Sequence, residues 1–310
     1  MDFNLILGIG ENALQLGLIS SLAVLALFLS YTMLNVCDLS TDGCFTLGAT
    51  VGAVVAIAGH PGLSIVAAMA AGIVSGFVVA ILQTKMGINS LLAGIIVNTG
   101  LYSVNIAVMG NSSLLNMNRT ETVFTLLKEK LKGTVLEKEY TLIIALIAVT
   151  LVVLFLSFFL KTKLGLAIRA TGNNPDMVRS SSINPVFTTI VGLCVANSFT
   201  ALSGCLLAQS QKSVNIDIGT GIVTVALASL LIGCSFMGKG KIPVRAVGVV
   251  LGSIIFRIVY AIALRFDMPA YMLKLISSVI VIIAISAPYI KSQLPAIKRR
   301  ISLYRMKGAA

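Results

Sequence analysis

An all-α, polytopic transmembrane helical bundle of about nine spans is the fold class this sequence predicts, and three observations carry it. The 310 residues are 57% hydrophobic and 11% charged, with a mean hydropathy of +1.00, which leaves too little polar surface for a water-soluble domain of this length. Charge-free runs cover residues 12–37, 43–84, 86–118, 140–160, 180–211 and 218–238, and about 20 apolar residues cross a bilayer. The basic residues collect in alternate connections, so the net charge of +12 follows membrane topology and not nucleic-acid binding.

Taken in order, the runs divide into spans at 12–34, 43–59, 63–84, 90–109, 140–160, 185–208, 218–236, 244–263 and 270–290. Residues 1–11 hold Asp2 and Glu11 but no Lys or Arg. A secretory signal opens on a basic region, so the first run is expected to be a retained span. Spans one and two flank "NVCDLSTDGCF" (35–45), and span two is short. "GHPG" (59–62), with the single histidine His60, reads as a turn between spans two and three. The loop 110–139 mixes both signs of charge and is expected to form a short helix from Val123 to Lys132, either a surface for an external partner or a solvated connector. In the loop 161–184, Asn174 suits a helix cap, Pro175 its first position and Asp176 its positive end. A helix of about two turns follows and stops before Asn184-Pro185.

One set of connections (Lys85, the loop 161–184, residues 239–245 and the tail 291–310) carries 14 basic residues, and the opposite set carries 7. Positive loops stay cytoplasmic, which places the amino terminus outside and the basic tail 291–310 inside. No linker or shift of composition divides the chain, so residues 1–310 form one domain. The segments GATVG (48–52), GIVSG (72–76) and GVVLG (248–252) have the small-residue spacing of close helix contacts.

Catalytic chemistry finds little support. GCSFMGKG (233–240) has the spacing of a phosphate-binding loop, but Gly240 stands where Ser or Thr would meet magnesium, and the motif falls at the end of a membrane span. There is no HExxH, no metal-ligand cluster and no Ser-His-Asp set. Five cysteines without a CxxC pair read as small hydrophobes.

The polar residues inside the apolar runs are the candidates for function. Asn35, Asp38, Ser40, Thr41 and Asp42 form a dense cluster open to two readings. It is a water-facing cytoplasmic turn, or non-helical backbone lining a path through the bilayer. Asn98, Tyr102 and Asn105 share one helix face, either on that path or bonded to a neighbouring helix. The same choice applies to Asn197, Gln209 and Gln211. Arg257 either snorkels to the interface or meets substrate. Met177 and Val178 are expected to face water on the loop helix, covered by another protein or lying on the inner lipid surface.

The loop "LGLAIRATGNNPDMVRSSSIN" resembles the cytoplasmic coupling loop of ABC importer permeases of the branched-chain amino acid and ribose class. The resemblance continues through "ALSGCLLAQSQ" (201–211), "IGTGIVTVALASLLIG" (218–233) and "VVLGSIIFRIVYAIALR" (249–265). "YTMLNVCDLSTDGCFTLGA" (31–49) is similar to the acidic, glycine-containing break of that family. "TKMGINSLLAGIIVNTGLYSVNIAVMG" (84–110) resembles a subgroup of tryptophan/tyrosine permeases. Ribose-type members carry an additional amino-terminal span not found here.

The resemblance implies a permease half with no ATPase activity and no cofactor of its own, in the plasma membrane. An ABC ATPase subunit docks below it, an external lipoprotein delivers substrate, and a second copy completes a homodimer. Coupling to the ATPase then maps to Arg169, Thr171, Gly172, Asn173, Asn174, Pro175, Asp176, Met177, Val178 and Arg179. The path maps to the cluster at 35–42, with Gly43. The rival classes are an autonomous secondary transporter, marked by broken helices in matching halves, and a membrane-embedded enzyme.

Overall fold

The computed structural model describes residues 3–130, 132–133, 139–237, 240–264, 275, 278–283 and 286. Helix α1 (Phe3–Leu27) runs into a π-helical turn, Phe28–Met33, and is followed by α2 (Thr41–Ile57), α3 (Pro61–Thr84) and α4 (Ser90–Val108). A short strand β1 (Leu114–Asn116) leads to α5 (Val123–Lys130), α6 (Tyr140–Phe159), α7 (Lys163–Asn173) and α8 (Pro175–Ser180). Then come α9 (Pro185–Gln211), β2 (Ser213–Asn215), α10 (Ile222–Met237) and α11 (Ile242–Leu264). Among the described residues, six segments are long and apolar enough to cross a membrane: Gly10–Met33, α3, α4, α6, α9 and Ile242–Ala263. With the shorter apolar helices α2 and α10, these occupy the first eight expected spans. The ninth, 270–290, lies largely outside the described residues, as does the tail 291–310.

Local chemistry sets many of the helix starts. Asn89 accepts a hydrogen bond from the Leu91 amide, Thr162 from Gly165 and Asn184 from Val186. Each satisfies one of the free amides of a first turn. Pro61, Pro175 and Pro185 stand where a missing N–H costs nothing. At the other end of α9, Lys212 turns left-handed at φ 52° and stops the helix.

Two helices form the hub. The apolar windows of Gly10–Met33 and α9 are 83% and 78% buried, against 22–39% for the other four long spans. The remaining helices therefore wrap this pair and turn their other faces outward. Close approach to α9 depends on glycine. A Cβ at Gly48 would overlap the Ala201 backbone, at Gly72 the Asn197 carbonyl, at Gly76 the Leu193 carbonyl, and at Gly204 the Phe45 carbonyl. The GATVG and GIVSG segments thus do the packing expected of them. GVVLG does the same between α10 and α11, with Gly248 against Met237 and Gly252 against Ser229 and Gly233.

Several features differ from the sequence expectation. The strands β1 and β2 pair antiparallel, Leu115 opposite Val214, and tie the end of α4 to the end of α9. Each is three residues long, too short to leave a periodic signal. Residues 163–173, read as loop, form α7. α10 starts at Ile222 and not at 218. Two other readings hold: residues 233–237 form the end of α10, with Gly233 packed against Gly248, and the five cysteines are free thiols.

The glycine seam generates a stability prediction. Gly204→Val forces a branched side chain into Phe45 and Ala49, an overpacking error that costs ~1–3 kcal/mol. The expected result is a lower unfolding temperature in detergent, followed by a thiol dye that reports exposure of the fully buried Cys44 and Cys205. Gly62→Ala, where no atom lies within 4 Å, should leave the curve in place.

Candidate translocation site and coupling face

The break after α1 is half-buried, with Asp38 and Ser40 its most enclosed residues. Asn35, exposed and left-handed at φ 55°, turns the chain back into the protein. Asp38 is 2% exposed and Ser40 0%. Asp38 Oδ1 accepts from the Ser40 amide (2.8 Å) and hydroxyl (2.6 Å), and its Oδ2 accepts from Asn197 Nδ2 (2.8 Å). Thr41 Oγ1 donates to the Asp38 carbonyl. Asn197 lies twelve residues into α9, roughly 18 Å from its start at 1.5 Å per residue. The non-helical segment is therefore held well inside the bundle, where α9 answers its carboxylate.

Asp42 has a second, separate task. It occupies the first turn of α2, yet its Oδ1 accepts from the Val223 amide (2.8 Å) and its Oδ2 from the Gly221 amide (2.9 Å). These amides open α10, and a carboxylate there meets both their unsatisfied donors and the positive end of the helix. Close approach requires Gly219, where a Cβ would overlap the Asp42 carbonyl and the Thr46 hydroxyl. At 17 and 16 residues, α2 and α10 are each about 25 Å long, shorter than a ~30 Å hydrocarbon core. Their amino-terminal ends thus meet inside the bundle on one side chain.

Beside this joint lies a cavity of about 470 Å³, lined by Asp42, Gly43 and Thr46 of α2, Asn98, Tyr102 and Asn105 of α4, and Asp217 and Thr220 of the turn before α10. The structure thus brings the Asn98/Tyr102/Asn105 face together with Asp42. It leaves Asn35, Asp38, Ser40 and Thr41 out of the cavity lining. Asn105 is 1% exposed, and its Nδ2 donates to the Gly43 carbonyl at 3.2 Å. Asp217 was not anticipated from the sequence, because it falls outside every expected span and looked like an ordinary loop acid.

Three other polar candidates bind helices together. Asn197 is committed to Asp38. Gln209 donates from Nε2 to Ser64 Oγ (2.7 Å) and accepts from the Val123 amide (3.0 Å), joining α9, α3 and α5. Arg257 does not line the cavity: its Nε and Nη2 donate to Ser20 Oγ on α1 at 3.2 and 2.7 Å. Gln211 is exposed at the end of α9.

At the opposite end of α9, α7 and α8 form a compact platform. Asn174 ends α7 and caps α8, its Oδ1 accepting from Asp176 (3.1 Å) and Met177 (3.0 Å) amides. Thr171 and Thr188 hydroxyls meet at 2.8 Å, and Gly172 lies so close to the Met33 carbonyl and Leu34 that a Cβ would overlap them. Asn173, Pro175, Asp176 and Arg179 are exposed, and Arg169 is half-buried. The expected Met177/Val178 pair divides. Met177 is 66% exposed, but Val178 is 3% exposed, because one turn of helix points adjacent residues in different directions.

Both Asp42 oxygens are used, which makes Asn a poor substitute. Its amide nitrogen would face a backbone N–H, leaving one α10 donor unsatisfied at ~1–3 kcal/mol. Asp42→Asn should lower the detergent unfolding temperature, and Asp42→Ala should lower it further; unchanged melting of both would show that the joint carries no stability.

Comparison with known proteins agrees with this architecture. Residues 10–285 match the family model described as branched-chain amino acid transport system / permease component. A tyrosine transport system permease protein of Clostridioides difficile (strain R20291) is 31% identical over 266 residues, 86% of either chain. An uncharacterised protein of Rickettsia prowazekii (strain Madrid E) is 29% identical over 284 residues, 89% of this chain and 96% of its own. No solved structure matches. The multi-pass helical bundle and the family match lead to one assignment: the chain belongs to the branched-chain amino acid transport system permease family, and is a plasma-membrane permease component and not itself an enzyme.

Proposed function

We propose that this permease is the membrane-spanning half of an ATP-driven importer that carries an aromatic amino acid into the cell. The observation that carries the reading is the 31% identity with a tyrosine transport system permease along 86% of the chain. The platform α7–α8 supports it: Met177 stands exposed on α8, next to α7, whose Gly172 abuts the Met33–Leu34 backbone and whose Thr171 meets Thr188 of α9. An apolar side chain presented this way suits a partner surface, and the partner is a separate ATP-hydrolysing subunit. An external binding protein delivers the substrate, and two copies of the chain, embedded in lipid, enclose the path. Asp38 and Asp42 hold the wall of that path, while Asn98, Tyr102 and Asn105 face it. The 14-to-7 division of basic residues favours nine spans, with the platform in the cytoplasm and the amino terminus outside.

A second reading, an autonomous secondary transporter, draws on the short helices α2 and α10, since discontinuous helices that meet at depth mark many such proteins. Energisation separates the two. In vesicles holding the assembled complex, tyrosine uptake should follow ATP and ignore a proton or sodium gradient. Uptake driven by a gradient without ATP would reverse the choice.

Two further outcomes test the arrangement. Met177→Asp should insert and melt normally, yet fail to co-purify with the ATPase subunit, because an unpaired charge at an apolar contact costs a few kcal/mol (roughly 2–4). Normal co-purification would remove Met177 from the contact. A single cysteine at Ser112 should react with a membrane-impermeant reagent on intact cells, and one placed in 291–310 should not.

A further inference from the structure

A groove of about 1000 Å³ runs along one side of the bundle, walled by α3, α6 and α9 and roofed at one end by α5. Among its lining side chains only Cys194 and Ser198 are polar, and the Ser198 hydroxyl already donates to the Val195 carbonyl at 2.7 Å. Water finds no partners in such a space, so an apolar occupant fills it. The two ends differ. Val123, Leu126 and Leu127 of α5 close one of them, and this roof is fastened, because the Val123 amide donates to Gln209 Oε1 at 3.0 Å. Charges of both signs surround it: Lys128 and Lys132 with Glu129 and Glu139.

At the other end the lining stops at Phe155 of α6 and Ile190 of α9. Lys161 and Lys163 follow directly after α6, both exposed and without an ion-pair partner among the described residues. No acid occurs from Tyr140 to Pro175 or from Ser180 to Gln211, so α6, α7 and α9 bring only positive charge here. The nearest acid along the chain, Asp176, is exposed on α8. The groove thus has a sealed apolar end and a basic end.

The occupant must be slim. From Ile190 to Leu206 the groove follows α9 for sixteen residues, roughly 24 Å. A helix of that length and ~10 Å width displaces roughly 1,900 Å³, nearly twice the space present. The described part of the ninth span is engaged elsewhere, with Val281 packed against Ala228 and Phe256. The groove also shares no helix with the cavity beside Asp42, so a second copy closing over that cavity meets α2 and α4 instead. A lipid tail is thin enough, but it gains no hydrophobic energy by leaving the bilayer. Its retention depends on close contact along the walls and on the headgroup, which the two lysines can reach by extending toward the interface.

We propose that the groove binds an anionic phospholipid, one acyl chain lying along α9 with its tip under α5 and the phosphate held by Lys161 and Lys163. The inference requires only that the chain spans a membrane, and it stands apart from the importer reading.

The chain has no tryptophan, so one introduced indole reports alone. Phe155→Trp places it on the groove, and Leu154→Trp places it on the exposed lipid face of the same helix. The full-length chain is reconstituted in phosphatidylcholine vesicles, and quenching by dibrominated phosphatidylglycerol is compared with quenching by dibrominated phosphatidylcholine. The anionic lipid should be favoured about tenfold at Phe155→Trp, the scale of one or two lysines beside an anionic headgroup, and scarcely at Leu154→Trp. Adding Lys161→Gln with Lys163→Gln should abolish the preference, and the paired Arg substitutions should keep it. Ile147→Trp, also exposed on the groove, should repeat the pattern and keeps the test intact where Phe155→Trp misfolds. The readout uses neither ATP nor transported substrate, so failure of the importer reading leaves it unaffected. Absence of quenching by either lipid would show that polypeptide closes the groove. Equal quenching by both would show bulk lipid without recognition. Either result, or an anionic preference that survives the paired Gln substitutions, would overturn the proposal.

Discussion

One carboxylate holds the beginnings of two helices. Asp42 belongs to α2 by sequence and to α10 by its bonds. Both helices are shorter than a hydrocarbon core, and the backbone amides at their starts meet within the bundle beside the half-buried Asp42. In low dielectric such amides must find partners. A single side chain that accepts from two of them, while opposing the positive end of α10, makes the interior junction tenable. The positions of Gly219, Gly221 and the cavity wall then follow: the turn must approach α2 closely enough for the carboxylate to reach, and only glycine permits the approach at 219.

The second constraint is the α9 hub. Glycines on α2 and α3 bring those helices against its backbone, and Asn197 adds a polar contact to Asp38 at the same depth. Helix α9 also meets the platform, through Thr188 and Thr171, while Gly172 of α7 abuts the Met33–Leu34 backbone just before the break. The platform therefore touches both partners of the break: the helix that enters it and the helix that secures it. Displacement of α7 has a short route of packed backbone to Asp38, four residues beyond Leu34.

The sequence made the membrane class, the eight described apolar helices and the Asn174–Pro175 helix start legible, because hydropathy and capping residues act locally. Helix α5, expected from Val123 to Lys132, was legible too and runs Val123–Lys130. What was hidden depends on distant partners. Asp42 looks like a first-turn acid of its own helix, and no local signal points to amides at 221 and 223. Arg257 resembles a snorkelling residue until Ser20 is seen beside it. Val178 and Met177 look equivalent in sequence, and one turn of helix sends one inward and the other out. Asp217 is invisible as a cavity residue because it sits in a turn, and only the fold brings that turn beside Asn98 and Tyr102 of α4.

The joint at Asp42 also has a consequence in time. Its carboxylate is separated from the Gly221 amide by 179 residues of chain. At ~5–20 residues per second of synthesis, α2 waits roughly ten to forty seconds for α10 to emerge. Throughout that interval a charged side chain and the open start of a short helix have no partner at depth. The nascent chain must keep α2 near the water-rich lip of the insertion machinery, or shelter it there, until the second half arrives. Assembly of this bundle is thus not a simple succession of helices entering lipid one by one, since an early segment cannot settle until a late one closes over it.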